Sequence, residues 1–531
     1  MNKIQVLDCT LRDGGYCNDW QFGERRVAKI LKGLADSGID IIECGFLTGM
    51  GGYVPGATKF TEISLLDEFL PPQRKGKQFV VMANYGEYDF ERLPERGKTK
   101  IDGIRIAFHK KDIVAALDAC GTIKEKGYKL FMQPMVSLCY SDLEFLDLVR
   151  RANEINPYAF YIVDSFGEMK RRDLIRLFYV AEHNLAGGIQ IGFHSHNNMQ
   201  LAFSNAQTLV EMQTARSLII DSSVYGMGRG AGNLNSELLV EYLNEFRDGT
   251  YDMKPLLHII DEVLDTLYRK KPWGYSLPNY ISALHSVHPN YASYLDNKKT
   301  LTVESMNEIF LRMDESKKYD YDKSYIESLY VAYMTTGKTQ EAHKSELEAA
   351  LRGSAVLLIA PGKSVEREKE KIMAFAKNEN VVTMGVNFDY PYVETDYVFI
   401  SNMRRFREYP AEKRGKCITT ENIRADDVYL QTKYRDLLND VEAVQDNAGL
   451  MAIKFLMNYG VKKIVLAGLD GYSHDETENH VNEIEDFITN TLGLDAINRG
   501  METVLAEYSK AIDMEFLTKP KYSKSEERGH V

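Results

Sequence analysis

The sequence predicts an α/β protein: a (β/α)8 barrel in the first half, then a helical segment and a smaller open α/β domain of Rossmann-like form. Three observations predict it. Short apolar runs alternate with amphipathic segments through the first 222 residues. Chemistry-bearing residues collect just beyond the ends of those runs. The turn after the first run, Leu11-Arg12-Asp13-Gly14-Gly15, lacks the glycine spacing of a dinucleotide-binding turn, which counts against a doubly wound sheet.

In chain order, strands are expected at residues 4–8, 39–45, 79–84, 103–108, 129–135, 160–164, 189–194 and 217–222. Helical patterns lie between them, at 24–37, 111–126, 143–155 and 171–185. Strands buried on both faces read as nearly continuous apolar runs, and Ile39-Asp40-Ile41-Ile42 and Phe79-Val80-Val81-Met82 come close. Such alternation, repeated around a ring, closes a parallel sheet into a barrel. Residues 301–348 read as helical and charged, with a break at Lys317-Lys318-Tyr319-Asp320-Tyr321-Asp322-Lys323. A second α/β unit starts at Ala355-Val356-Leu357-Leu358-Ile359-Ala360 and turns at Pro361-Gly362-Lys363-Ser364. Further strands are expected at 381–386, 397–401 and 463–467, with a helix over 449–459. The expected domains are therefore 1–300, 301–350 and 351–518, followed by a polar, disordered tail over 519–531.

Composition narrows the function. A chain of 531 residues is too long for one ordinary core, and 44% apolar residues argue against extended disorder. A net charge of −12 gives nucleic-acid binding no support. The six cysteines, Cys9, Cys17, Cys44, Cys120, Cys139 and Cys417, form no CxxC pair and are expected to be reduced thiols. No apolar stretch approaches the roughly 20 residues that cross a bilayer, and no basic-then-apolar leader opens the chain. A soluble, cytoplasmic protein is expected, with neither nucleic acid nor membrane as partner.

Two distant segments read as halves of one metal site. His194 and His196 are two apart in a strand pattern, so their imidazoles share a face. Asp13, after the first strand, would complete a two-His, one-carboxylate set with open positions. Glu43, His109, Gln133, Asp164 and the loop Gly226-Met227-Gly228-Arg229-Gly230-Ala231-Gly232-Asn233 fall at the same expected rim. Each has a plainer reading. Glu43 either pairs with Arg12 or touches substrate. Gln133 and Asp164 are either substrate contacts or interior polar residues. Gly228 and its loop either bind a substrate carboxylate through backbone donors or form only a tight turn.

Thr10-Leu11-Arg12-Asp13-Gly14, Glu43-Cys44-Gly45-Phe46, Asp164-Ser165-Phe166-Gly167, His194-Ser195-His196-Asn197 and Gly230-Ala231-Gly232-Asn233 resemble, in order and spacing, a superfamily of metal-dependent aldolases and lyases on TIM barrels. It includes 4-hydroxy-2-oxovalerate aldolase, hydroxymethylglutaryl-CoA lyase and isopropylmalate synthase. The aldolase branch is closest, because Asn290-Tyr291-Ala292-Ser293-Tyr294-Leu295 resembles the segment carrying its active-site tyrosine. The resemblance implies Asp13, His194 and His196 as metal ligands, Asn233 as a fourth contact and Arg12 as the partner of a developing enolate. It implies catalytic roles for Tyr16 and Tyr291, and a homo-oligomer. Manganese or magnesium is the favoured ion, with cobalt and zinc the alternatives. Tyr16 stands where related aldolases place a histidine base, so the base is Tyr16 itself, His109, His285, His288 or a water. A 2-oxo acid aldolase is expected; an acyl-CoA synthase on the same site, or a barrel kept as a scaffold beside a C-terminal transferase, are the alternatives.

The C-terminal domain is similar, more weakly, to sialyltransferase-like folds that handle nucleotide sugars. The resemblance rests on Ala360–Ser364, Asn447-Ala448-Gly449 and Ile464–Gly471. It implies a nucleotide or nucleotide-sugar ligand and a setting in surface-polysaccharide synthesis. The Pro361–Ser364 turn is a candidate phosphate cradle, although it is not a Walker A loop.

Overall fold

The computed structural model describes residues 3–72, 74–247, 249–337, 343–378, 380–475, 478–481 and 493–522. The chain divides into two compact units. One holds Met1–Ala292 with Glu315–Tyr321, the other Ser293–Asp314 with Asp322–Val531.

The first unit is a closed, all-parallel barrel. Its strands are β1 (Ile4–Asp8), β2 (Ile41–Leu47), β4 (Gln78–Asn84), β5 (Gly103–Phe108), β6 (Lys129–Pro134), β7 (Ala159–Asp164), β8 (Gln190–Ser195) and β9 (Leu218–Ser222); a two-residue strand β3 (Lys59–Phe60) hangs on β2. β1 pairs with both β9 and β2, which closes the ring. Leu7, Cys9, Ile41, Val80, Phe131, Tyr161 and Ile219 fill the inside, while Val6, Ile42, Val81, Ile104 and Phe160 belong to the layer shared with the helices.

Most expected elements fall within a residue or two of place, and the offsets have local causes. The second strand was expected at 39–45 and runs Ile41–Leu47. Asp40 leads into the strand, its carbonyl accepting from Gln78 N (3.0 Å) and its carboxylate from Val6 N (3.0 Å) and Tyr251 Oη (2.7 Å). Beyond Glu43 a bulge at Gly45, with φ of 149°, carries the strand on. A Cβ there would lie 2.3 Å from the Thr58 carbonyl oxygen. The helix expected at 111 starts at Ile113, after a 3-10 turn over Lys110–Asp112. The helix expected at 143 starts at Asp142, where Ser141 and Glu144 form a capping box.

Residues 315–321, expected only as a break, form a strap packed on the barrel. Tyr291 Oη donates to the carbonyls of Lys317 (2.9 Å) and Asp320 (2.7 Å), and His288 N donates to Lys318 O (2.8 Å). Tyr319 stacks on Phe166, with ring centroids 6.3 Å apart. The helices expected over 301–350 are Val303–Leu311, Lys323–Met334 and Lys344–Leu351.

The second unit carries a parallel sheet in the order β14-β13-β12-β11-β10-β15-β16. The expected strands are β10 (Ala355–Ile359), β11 (Val381–Val386), β12 (Tyr397–Ile400) and β15 (Lys463–Ala467). β13 (Cys417–Thr420), β14 (Leu430–Thr432) and β16 (Asp513–Phe516) were not expected, being short and polar; the last two are edges. Of the tail, residues 519–522 are described and the remainder lies outside the described residues. Among the described residues no helix is long and apolar enough to cross a membrane.

Candidate metal centre at the barrel mouth

Alternation along the strands aims a set of polar side chains into the upper barrel. Glu43 on β2, Arg105 on β5, Gln133 on β6, Tyr161 on β7, His194 on β8 and Asp221 on β9 are all buried there. Arg105, wholly buried, ion-pairs with Glu43 Oε2 (2.8 Å) and with Asp221, and its guanidinium lies over the Tyr161 ring. Gln133, with its amide oriented to satisfy both groups, accepts from Arg105 Nε at 2.6 Å. Tyr161 Oη donates to Asp221 Oδ1 (3.1 Å). Tyr161 needs Gly192 beside it, because a Cβ there would sit 2.3 Å from the ring. Burial alone would raise the Asp221 carboxyl, but Arg105 and His194 hold it below the usual carboxylate range.

Above this layer Asp13, His194 and His196 come together, with one potential ligand atom from each within 4.8 Å of the others. His194 Nδ1 lies 3.0 Å from Asp221 Oδ2, which fixes the ring and leaves Nε2 for a metal. His196 follows the strand end, held by a bridge to Asn233, and its Nδ1 is buried with no hydrogen-bond partner. Burial pushes the His196 imidazole down to about 3, so it stays neutral and able to ligate. Burial would raise Asp13, yet Arg12 and the two histidines hold it far below the usual range. Asn233 Nδ2 donates to Asp13 Oδ2 (2.8 Å), and its Oδ1 is buried without a partner. These orphaned acceptors, beside a carboxylate and two imidazoles, fit a divalent cation.

Arg12 donates from Nε to Glu43 Oε2 (2.8 Å) and from Nη1 to Asp13 Oδ1 (2.5 Å). Its Nη2 is buried and has no partner. Two carboxylates thus fix a guanidinium beside the ligands with one donor left over.

The other expected residues fall into two groups. Gly228 lines the centre itself: a Cβ there would lie 2.6 Å from Asp13 Oδ2 and 2.3 Å from Asn233 Nδ2. Tyr16 sits at the edge, its ring against Trp20 and under the Arg229 guanidinium. Burial raises its hydroxyl against the opposing pull of Arg229. Asp164, Gln133 and Tyr291 are turned to protein partners instead. Asp164 accepts from Glu168 N (2.9 Å) and Met169 N (3.1 Å), Gln133 serves Arg105, and Tyr291, fully buried, holds the strap.

Arg105, Asp221 and Arg229 went unselected at the level of sequence. The first two carried a legible signal, a charge inside an apolar strand in Gly103-Ile104-Arg105-Ile106 and Leu218-Ile219-Ile220-Asp221.

In the second unit, a cavity of about 730 Å³ opens where β10, β11, β12 and β15 end. Strand order reverses between β10 and β15, so this is the sheet's switch point. Asn387, Arg404, Lys323, Asp446 and Asn447 are among the lining residues. The Pro361–Ser364 turn does not offer the expected phosphate cradle. Ser364 N and Oγ both donate to Asp470, at 2.8 and 2.5 Å, so a carboxylate already occupies its donors.

Residues 3–263 match the HMGL-like family model. A 4-hydroxy-2-oxovalerate aldolase of Geobacillus genomosp. 3 is 27% identical over 267 residues, 50% of this chain and 77% of its own length. The enzyme of that name from Carboxydothermus hydrogenoformans is 28% identical over 276 residues, 50% of this chain and 79% of its own. Among solved structures, the HMG-CoA lyase of Brucella melitensis aligns with a TM-score of 0.41 at 14% identity, covering 51% of this chain and 100% of that one.

Proposed function

Since the barrel unit is an HMGL-like domain, we propose that it is a divalent-metal carbon–carbon lyase that cleaves or forms the bond joining a pyruvate unit to an aldehyde. The observation that carries the reading is the pairing of the Asp13, His194 and His196 cluster with the unpartnered Nη2 of Arg12. Asp13, His194, His196 and Asn233 would hold the ion, manganese or magnesium by preference, and it would supply Lewis acidity at the 2-oxo group.

The chain's own groups do the rest. Breaking the bond leaves negative charge on the former 2-oxo oxygen, and Arg12 Nη2 meets it from a position fixed by Glu43 and Asp13. Arg105 and Glu43 keep Arg12 from reorienting. The 4-hydroxyl must lose its proton, and His109 at the end of β5 is the group we assign. Its Nδ1 lies 3.5 Å from Asp320 Oδ1, leaving Nε2 as the acceptor, and burial lowers its pKa so that the basic form prevails at neutral pH. His288 is the poorer base, because its Nδ1 already accepts from Asn290 N (3.2 Å). In the second unit, the switch-point cavity is of a size that takes a small ligand, and its Arg404, Arg405 and Lys323 favour an anionic one such as a nucleotide.

The test is pyruvate release from a panel of 4-hydroxy-2-oxo acids with added manganese, then with chelator. Metal-dependent release is expected. Release of CoA thiol from acetyl-CoA and a 2-oxo acid, with no pyruvate from any member, would instead assign an acyl-CoA synthase.

A further inference from the structure

We infer that Arg229 makes this site selective for substrates whose far end, beyond the bond being broken, carries a second anionic group. The inference rests on the reading of the barrel as a 2-oxo acid lyase and names the substrate class of that site.

Arg229 stands at the centre of the glycine-rich loop whose other residues form one wall of the metal centre. Its backbone N–H donates to Asp13 Oδ2 (3.2 Å), which places it against the ligand set. Its guanidinium extends over the Tyr16 ring, 5.6 Å from the centroid, and Nη2 donates to Ser165 O (2.9 Å). Nε is buried without a partner, and among the described residues no carboxylate lies within ion-pair distance of this side chain. Arg12 and Arg105, by contrast, are each paired with two carboxylates.

Charge balance gives the missing partner its sign. Within the ion-paired set at the centre, Asp13, Glu43 and Asp221 face Arg12 and Arg105, which leaves one negative charge in excess. A divalent cation turns that into one positive charge, and the carboxylate of a 2-oxo acid answers it. Arg229 then remains as a further cation, half-buried and uncompensated. A partly desolvated guanidinium with an idle donor is a costly arrangement unless a ligand completes it. Its fork-shaped donor set suits a carboxylate or a phosphate. Both loop anchors hold it there: Asn198 Oδ1 accepts from Ala231 N (2.7 Å), and Asn198 Nδ2 donates to Phe166 O (2.9 Å).

The test uses the full-length, manganese-loaded protein and calorimetry with two unreactive ligands of equal chain length, 2-oxopentanoate and 2-oxoglutarate. The wild type is expected to bind the dianion about tenfold to a hundredfold more tightly, the range of one charge-assisted contact. R229Q is expected to bring the two affinities together, and R229K to keep part of the difference. Equal affinities in the wild type, or a difference that R229Q leaves intact, overturn the inference; the wild-type comparison decides it even if R229Q does not fold. Condensation of pyruvate with propanal, succinate semialdehyde or glyceraldehyde 3-phosphate then separates a neutral end, a carboxylate and a phosphate. A preference for propanal sinks the selectivity and leaves the lyase standing. No reaction with any aldehyde, beside an Arg229-dependent preference for the dianion, sinks the lyase and leaves the anion site standing.

Discussion

The two parallel sheets of this protein each open a crevice at the C-terminal ends of their strands, as their topology requires, and the glycine-bearing loops at the two crevices are finished in opposite ways. At the barrel mouth polar atoms are buried and left without protein partners: Arg12 Nη2, Arg229 Nε, His196 Nδ1 and Asn233 Oδ1. At the sheet of the second unit, the turn that a ligand phosphate would enter is closed from within by Asp470. Buried donors and acceptors cost free energy unless something satisfies them, so the first arrangement implies a ligand and an ion. The second turn is complete as it stands. Groups left idle, more than the mere presence of a glycine-rich turn, separate a loop poised for a ligand from a turn closed on itself.

The sharpest way to break this contrast is at Asp13. Asp13→Asn removes the anionic member of the cluster and leaves Arg12 with Glu43 alone. Pyruvate-releasing activity is expected to fall about 10³-fold or more, several kcal/mol of lost stabilisation. Manganese binding followed by paramagnetic resonance should be lost in parallel. Retained activity would mean that the chemistry resides elsewhere in the chain. A smaller effect is expected at Asp221, which touches His194 and not the ion. Asp221→Asn should weaken manganese binding about 10- to 100-fold, the usual penalty for disturbing the group that orients a ligand histidine. Unchanged affinity would show that the orientation of His194 does not depend on the Asp221 carboxylate.

How far the sequence reaches follows the same division. The barrel was legible because its strands are nearly continuous apolar runs, and the metal cluster because His194 and His196 stand two apart at the end of one. Asp164 and Gln133 looked like site residues for the same positional reason, and Tyr291 because its segment resembles the aldolases' tyrosine segment. Position cannot tell which way a carboxylate is satisfied, and Asp164 is spent on the amides of Glu168 and Met169. Arg105 and Asp221 were visible as charges inside apolar strands, but their pairing spans 116 residues and is set by barrel closure. The strap at 315–321 read as a charged break because its anchors, the backbone carbonyls of Lys317 and Asp320, leave no trace in residue type. β13, β14 and β16 escaped because short strands rich in Thr, Gln, Asp and Glu carry little apolar signal.

The closed turn of the second unit gives the next test. A Cβ at Gly362 would lie 2.3 Å from Gly468 O and 2.6 Å from the Asp470 carboxylate. Gly362→Ala should therefore destabilise this unit by about 1–3 kcal/mol, the range for forced overpacking. Manganese affinity at the barrel should not change, and a two-probe denaturant titration would read both. If Gly362→Ala is neutral, the approach of the two switch-point turns is looser than the structure has it.

The smallest effect is expected at Tyr16, where the aldolase resemblance put the catalytic base. Burial raises the Tyr16 hydroxyl, so at neutral pH it holds its proton and cannot accept another. What the site uses is its ring, packed on Trp20 and beneath Arg229. Tyr16→Phe keeps both contacts and should change kcat/KM by no more than about threefold, well short of the 10²–10⁴ that removal of a general base costs. Tyr16→Ala, which also removes the aromatic face under Arg229, should cost more, and chiefly in KM for anionic substrates. The pH profile supplies the sign. A base whose pKa is lowered by burial, as His109's is, keeps activity at neutral pH and loses it only as the pH falls below the ordinary imidazole value of about 6.5. That acid limb should persist in Tyr16→Phe and disappear, with most of the activity, in His109→Asn. A Tyr16→Phe enzyme slowed a hundredfold, with its acid limb displaced, would return the base to Tyr16 and require a tyrosinate held against burial by Arg229.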